Sequence, residues 1–200
     1  MKLENHMKNH PDRTRWNKKY RERIISDFSP SALFSAFSET IPPGAIPPGD
    51  VLELACGASG TALALASQGR QIMAVDVSDV GLALLAEEIE KHDLVGKIQL
   101  VQDDLVTWSP PRGDFALVIC SFYWDRIVFG YAHELVMPGG YIAWEGFSPA
   151  CVKYRSASPY AMQEEEPLAL LPKSFAVIEC RDVDDGKSIV SRRLIAKREA

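Results

Sequence analysis

The sequence has no long apolar run. No stretch approaches 18 consecutive apolar residues, so no membrane-spanning helix is predicted. The first residues are polar and lack the apolar stretch of a signal peptide, which makes a cytoplasmic protein the expectation. Cysteine is sparse. Cys56, Cys120, Cys151 and Cys180 form no CxxC pair, and no histidine stands near them at ligand spacing. His6, His10, His92 and His133 are scattered and form no HExxH motif. These gaps argue against a disulfide framework and a metal site, and point to a reducing compartment. Three of the thiols, at 56, 120 and 180, fall in or beside apolar strand-like runs, where a free Cys behaves as a small buried hydrophobe.

What remains is an ordinary globular composition. The 200 residues are 46% hydrophobic and 24% charged, enough for one sizeable core. The expected division is an N-terminal helical extension over 1–45 and a main domain over 46–200. The net charge of −5 is uneven: residues 1–23 carry eight Lys or Arg against three acids. A basic arm suits nucleic acid, but a solvated helix face is the simpler reading, and an acidic body repels phosphate backbones. Nucleic acid is therefore disfavoured as a partner.

Local patterns place the elements. "DRTRWNKKYRERIIS" (12–26) predicts a helix with Trp16, Tyr20 and Ile24 on one face. "PSALFSAFSET" (30–40) predicts a second, with Leu33, Phe34 and Phe37 inward. The segment "IPPGAIPPGD" cannot continue a helix and reads as a rigid turn. Strands and helices then alternate: strands over 51–55, 71–77, 97–102 and 115–121, and helices over 59–69, 78–93 and about 125–136. Ser78 and Gly69 supply a cap and a stop. The 115–121 run, "FALVICS", is continuous enough to be buried on both faces. A fifth strand follows over 139–147, then two more over 174–180 and 187–197 joined by "RDVDDG", a hairpin signal. The expected fold is α/β, with a mixed sheet that finishes in an antiparallel pair.

The informative stretch is "VLELACGASGTALALASQG", a strand, a turn of small residues and a helix. Such a turn brings backbone N–H groups close to a ligand, and Gly57 and Gly60 permit close approach. Asp76 ends the second strand and suits the two hydroxyls of a ribose. "QDDL" (102–105) ends the third strand at the same edge, with a helix cap or solvated loop as the competing reading of Asp103 and Asp104. An adenosine compound fits, and both NAD and S-adenosylmethionine carry one. Glu53 discriminates between them. An acid just before the turn is awkward beside a pyrophosphate and suits a ligand with an ammonium group. The full G-x-G-x-x-G is also missing, since Ser59 and Ala62 occupy two of its places.

These segments together resemble the class I S-adenosylmethionine-dependent methyltransferases. "VLELACGASG" is similar to the family's glycine-rich motif, "AVDVS" to its second motif, "VQDDL" to its third-strand motif and "LVMPGGYIAWEGF" to its L-x-P-G-G segment. Ala55 and Ser59 stand where the family usually has Gly. The resemblance implies a Rossmann-like three-layer sandwich, whose seven-stranded mixed sheet has the order 3-2-1-4-5-7-6 and an antiparallel last strand, and S-adenosyl-L-methionine as cofactor. Glu53 with Ala55, Cys56 and Gly57 would hold the methionine moiety and Asp76 the ribose. Asp104 would take the adenine amino group, with Val77, Asp103 and Leu105 beside these acids. Cys120 and Ser121 would lie by the sulfonium. Within the class, "RWNKKY" resembles the W-D-x-x-Y lid of the tellurite-resistance and thiopurine-type methyltransferases, which assigns Trp16 and Tyr20 to the cofactor. Asn17 replaces the usual acid there. A stripe packed on the body is the alternative for these two aromatics.

Methyl transfer is an in-line displacement that mainly requires alignment. The sequence therefore shows cofactor residues better than catalytic ones. In "SFYWDR" the aromatic residues Phe122, Tyr123 and Trp124 offer an acceptor wall, and Tyr123 and Asp125 are the catalytic candidates, although Asp125 reads better as a helix N-cap. The expected acceptor is a small molecule; resemblance alone suggests a thiol or a chalcogen oxyanion. Monomer and homodimer both stay open. The competing classes are an NAD(P)-dependent oxidoreductase, for which no Tyr-x-x-x-Lys follows the fourth strand, and a non-catalytic adenosine- or nucleic-acid-binding module.

Overall fold

The computed structural model describes residues 7–22 and 28–200. Ile24, read as part of the first helix's stripe, lies outside them, as do residues 1–6 and 23 of the basic arm. The strands form a seven-stranded sheet, β3-β2-β1-β4-β5-β7-β6. They are β1 Val51–Leu54, β2 Ile72–Asp76, β3 Ile98–Gln102, β4 Phe115–Ser121, β5 Val136–Phe147, β6 Phe175–Asp184 and β7 Val190–Arg198. This is the expected order. The chain resolves into two compact units, residues 1–31 with 52–109 and residues 32–51 with 110–200. Among the described residues no helix is long and apolar enough to cross a membrane.

The first unit holds α1 Pro11–Glu22, α3 Gly60–Ser67 and α4 Asp79–Lys91 around β2 and β3. These strands pair in parallel from Ile72↔Ile98 to Asp76↔Gln102, a geometry that needs the α4 crossover between them. β1 and β2 are buried along their whole length, so their apolar runs are uninterrupted. α4 is amphipathic and buries Leu82, Leu85 and Ile89 at helical spacing. Ser78 caps it as the sequence predicts, accepting the Gly81 N–H at 3.0 Å. α1 differs from expectation. Its buried residue is Asn17, at 3% exposure, while Trp16 and Tyr20 on either side are half-buried. The helix is too polar to be held by an apolar stripe and docks through hydrogen bonds.

The second unit holds α2 Ala32–Thr40, α5 Arg126–Ala132 and α6 Glu166–Leu170. β4 pairs with β5 in parallel, and β7 runs antiparallel to both β5 and β6. Six of the seven β4 residues are buried, as its apolar continuity requires. Leu33, Phe34 and Phe37 of α2 face inward, with Phe37 edge-on to Tyr141 at 5.7 Å. The fully buried Trp144 anchors the core, edge-on to Phe129 at 5.2 Å and to Trp124 at 6.4 Å. Each such pair contributes about 0.5–1.5 kcal/mol beyond the area it buries.

One local expectation shifts. The hairpin connection is not "RDVDDG", because residues 181–184 pair with residues 190–193 and extend β6. The turn falls at Asp185 instead, whose carboxylate accepts the N–H groups of Lys187, Ser188 and Ile189. The acidic run "EEE" (164–166) leads into α6. The Glu166 side chain is 9% exposed and accepts from Trp124 Nε1, Gln163 N–H and Arg126.

Candidate active site

The turn after β1 owes its shape to two residues in the left-handed region, Ala55 at φ 51° and Gly57 at φ 56°. Gly57 meets that demand without strain; Ala55 pays about 1 kcal/mol for its Cβ. Cys56 N–H donates to the Val75 carbonyl at 3.1 Å and ties the turn to β2. Ser59, the other departure from the glycine motif, has φ −85° and needs no glycine. Its hydroxyl does two things. It accepts the Ala62 N–H at 3.0 Å, capping α3, and it donates into the Glu53 carboxyl, with Oγ 2.7 and 2.8 Å from the two oxygens.

Two acids lie buried around this turn. Glu53 is 6% exposed and Asp76 8%. Burial pushes the Glu53 carboxyl up to about 8; the Ser59 hydroxyl opposes this, and the nearby Asp76 charge adds to it. Burial also raises Asp76, to about 6, against hydrogen bonds from the Ser78, Gly57 and Val77 backbone. Asp76 braces two turns at once: Oδ2 accepts Gly57 N–H at 2.8 Å and Oδ1 accepts Ser78 N–H at 2.7 Å. A carboxylate has about four acceptor positions, so capacity remains for hydroxyl donors.

The N-terminal helix sits directly on the turn. A Cβ at Gly57 would lie 1.9 Å from the Tyr20 hydroxyl oxygen, and one at Gly81 would lie 2.9 Å from the Tyr20 ring. Tyr20 thus occupies space that only two glycines leave open. Gly60 serves the chain just after α1: its Cβ would lie 2.0 Å from the Phe28 carbonyl oxygen. Trp16 does something different, lying beneath Lys19 Nζ at 4.2 Å and beside Tyr20, with ring centroids 6.3 Å apart.

Asn17 fastens the helix. Its Nδ2 donates to Asp79 Oδ1 at 2.7 Å, and its Oδ1 accepts from the Ser78 hydroxyl at 2.7 Å. Arg13 forks onto the same Asp79, with Nε and Nη2 at 2.8 and 2.9 Å. Arg13 and Asn17 together hold the Asp79 carboxyl below its ordinary range, overcoming its partial burial. The asparagine in "RWNKKY" is therefore explained. An aspartate there would lose the donor and face Asp79 with a like charge.

At the end of β3, Asp103 accepts the Asp104 N–H at 2.8 Å, and Asp104 Oδ1 accepts the Val106 N–H at 3.1 Å. Asp103 N–H itself donates to the Asp76 carbonyl at 3.1 Å. Leu105 is buried and Val77 half-buried. The first unit thus brings Tyr20, Glu53, residues 55–57 and Asp76 around one turn, with Asp103 and Asp104 joined to Asp76 through the backbone. Sequence reading missed Asn17 as an anchor, the Ser59 hydroxyl and Gly81. A glycine inside a helical pattern was the available signal for the last.

In the second unit, Cys120 is buried with its Sγ 3.8 Å from the Tyr123 carbonyl, and Ser121 ends β4. Phe122 follows at φ 57°, 39% exposed, and Tyr123 offers its carbonyl to Trp144 Nε1 at 2.7 Å. Trp124 is 8% exposed and serves the core. Asp125 caps α5, accepting the N–H groups of Ile127 and Val128 at 2.8 and 3.1 Å.

The first unit's donor set fits S-adenosylmethionine. A buried acid whose ionised form has no cationic partner lies beneath the turn, a braced aspartate ends the next strand, and an acid ends the third. The fold is one that S-adenosylmethionine-dependent methyltransferases share. Residues 51–140 match the family model described as a methyltransferase domain. No curated relative matches the chain in sequence. The fold is similar to magnesium protoporphyrin IX methyltransferase from Synechocystis PCC 6803 with bound S-adenosylhomocysteine, at 16% identity over 94% of this chain and 98% of that one, TM-score 0.73. It is also similar to an S-adenosylmethionine-dependent methyltransferase from Clostridium acetobutylicum ATCC 824, at 14% identity over 94% and 97%, TM-score 0.64. The [4+2]-cyclase SpnF shares the fold at 15% identity over 84% and 80%, TM-score 0.65. The oxidoreductase and binding-module readings are not favoured.

Proposed function

We propose that this protein transfers the methyl group of S-adenosylmethionine to a small-molecule acceptor. The observation that carries the cofactor end of this reading is Glu53, a buried acid pushed up to about 8 by burial, with the neighbouring acid Asp76 adding to the effect. An ammonium group from the methionine moiety supplies the missing countercharge. The Asp76 carboxylate takes the ribose hydroxyls, and Asp104 takes the adenine amino group. Tyr20, held by the Asn17 anchor, covers the turn, which makes α1 the working part of a lid within residues 1–45.

S-adenosylmethionine supplies an electrophilic methyl on a good leaving group. The chain's own task is to orient and to exclude water. Asp125 is occupied as a cap, so it is not assigned a proton-transfer role. A thiol or chalcogen oxyanion, which reacts without a strong base, suits that lack. The tellurite-resistance and thiopurine-type grouping is supported by the tyrosine seat above Gly57.

The test is calorimetric titration with S-adenosylmethionine, S-adenosylhomocysteine and NAD, repeated on Asp76→Ala. Micromolar binding of the two sulfur ligands, lost in the variant, is expected. Binding of NAD alone, or of neither sulfur ligand, would sink the proposal.

A further inference from the structure

Phe122 follows β4 directly, in the second unit, and donates its N–H to the Glu145 carbonyl at 2.7 Å. Its φ of 57° puts a bulky residue in the left-handed region, where the Cβ crowds the backbone. Burial does not offset that strain, because the residue is 39% exposed. Strain that holds an aromatic ring at the surface points to a use for the ring. The ring leans on Phe147, at the end of β5, with centroids 5.3 Å apart and planes tilted by 47°.

A cation rests on the same Phe147 ring. Arg155 Cζ lies 4.6 Å from its centroid. The segment that carries Arg155 is pinned. The Ser148 hydroxyl accepts the Ala150 N–H at 3.1 Å and donates to Asp182 at 2.6 Å. The buried Cys151 offers its carbonyl to the Tyr154 and Arg155 N–H groups at 3.0 and 3.1 Å. The acids that touch this segment or its strands are already matched. Glu145 takes Ser191 and Arg193, Asp182 takes Arg192, and Asp184 takes Lys153. Among the described residues no acid pairs with Arg155, which is exposed.

A guanidinium stacked on a ring keeps its edge N–H groups free for a bidentate acceptor. We propose that Phe122, Phe147 and Arg155 form a binding site for a small aromatic carboxylate. The ligand's ring packs on Phe122, and its carboxylate takes the fork of Arg155. Both side chains rest on Phe147, so they fall within the span of one such molecule. The site lies wholly in the second unit and does not rest on the cofactor reading.

The experiment is a ligand-observed NMR titration of the full chain, without cofactor, with 2-naphthoate and with 2-naphthamide, which has the ring but no charge. Naphthoate is expected to bind at least about tenfold tighter, the worth of a charge-assisted hydrogen bond. Arg155→Ala is expected to erase that preference, and Arg155→Lys to keep part of it. Phe122→Gly keeps the left-handed backbone and removes the ring. It is expected to weaken both ligands about tenfold while the melting temperature holds or rises; a ring that only packs would lower it. Equal binding of the two ligands, binding of neither, or a preference that survives Arg155→Ala would overturn the site. So would Phe122→Gly melting lower with its binding unchanged.

Discussion

Glu53 makes the cofactor reading measurable through pH. A carboxyl held at about 8 in the folded chain, against 4.5 in the unfolded one, takes up a proton on folding between those values. Below pH 4.5 both states are protonated and the stability is fully present. As pH rises towards 8 the unfolded chain gives up its proton while the folded chain keeps it. Stability then falls by on the order of 5 kcal/mol over the window and levels off above it.

A ligand ammonium reverses this, because it binds the ionised form. At pH 7 roughly nine in ten ligand-free molecules carry the proton, so binding must release nearly one proton. S-adenosylhomocysteine affinity is therefore expected to rise about ninefold from pH 6 to pH 7 and about fivefold from pH 7 to pH 8. Below pH 6 the slope steepens, because Asp76, held at about 6, then titrates too. In Glu53→Gln the rise between pH 6 and 8 disappears. Affinity at pH 8 drops roughly ten- to a hundredfold with the charged hydrogen bond. The assay is calorimetry at fixed ionic strength, in two buffers of different ionisation enthalpy, which counts the protons released. Flat affinity from pH 6 to 8, or an equal slope in Glu53→Gln, would refute the assignment of the ammonium to Glu53.

Three further outcomes follow from the geometry. Asn17→Asp removes the donor to Asp79 and adds a facing like charge; α1 is expected to undock, cutting S-adenosylhomocysteine affinity at least about tenfold, and Asp79→Asn in the same chain is expected to restore part of it. Ala55→Gly relieves the left-handed strain and is expected to raise stability by up to about 1 kcal/mol in denaturant unfolding, with cofactor affinity unchanged or improved. A loss of stability there would contradict the turn geometry. Asp125→Ala deletes two cap hydrogen bonds and is expected to cost about 1 kcal/mol in thermal unfolding, while methyl transfer to any identified acceptor keeps its pH profile; a changed profile would return Asp125 to the chemistry.

Much of the molecule is legible in its sequence, because the signals are local or periodic. Continuous apolar runs such as "FALVICS" mark strands buried on both faces, and helical spacing between them requires parallel crossovers. The hairpin before the last strand signals its reversal, while the order of the strands comes from the resemblance of the motifs. The turn at 55–57 and the acids at 53, 76 and 104 lie at strand ends, where spacing alone points to them. Other features depend on which groups meet in space. Nothing local says that Asn17 rather than Trp16 is the buried residue of α1, because its partners Ser78 and Asp79 are 61 and 62 positions away. The value of Ser59 in place of glycine appears only when its hydroxyl is seen inside the Glu53 carboxyl. Trp124 reads as a possible acceptor wall until its ring is found against Phe129 and Trp144. Sequence alone determined the frame and the acids around the small-residue turn, since both follow from periodicity and from residue type at strand ends. Tertiary structure decided the charge states and the anchoring of the helix, since burial and long-range hydrogen bonds exist only once the chain has folded.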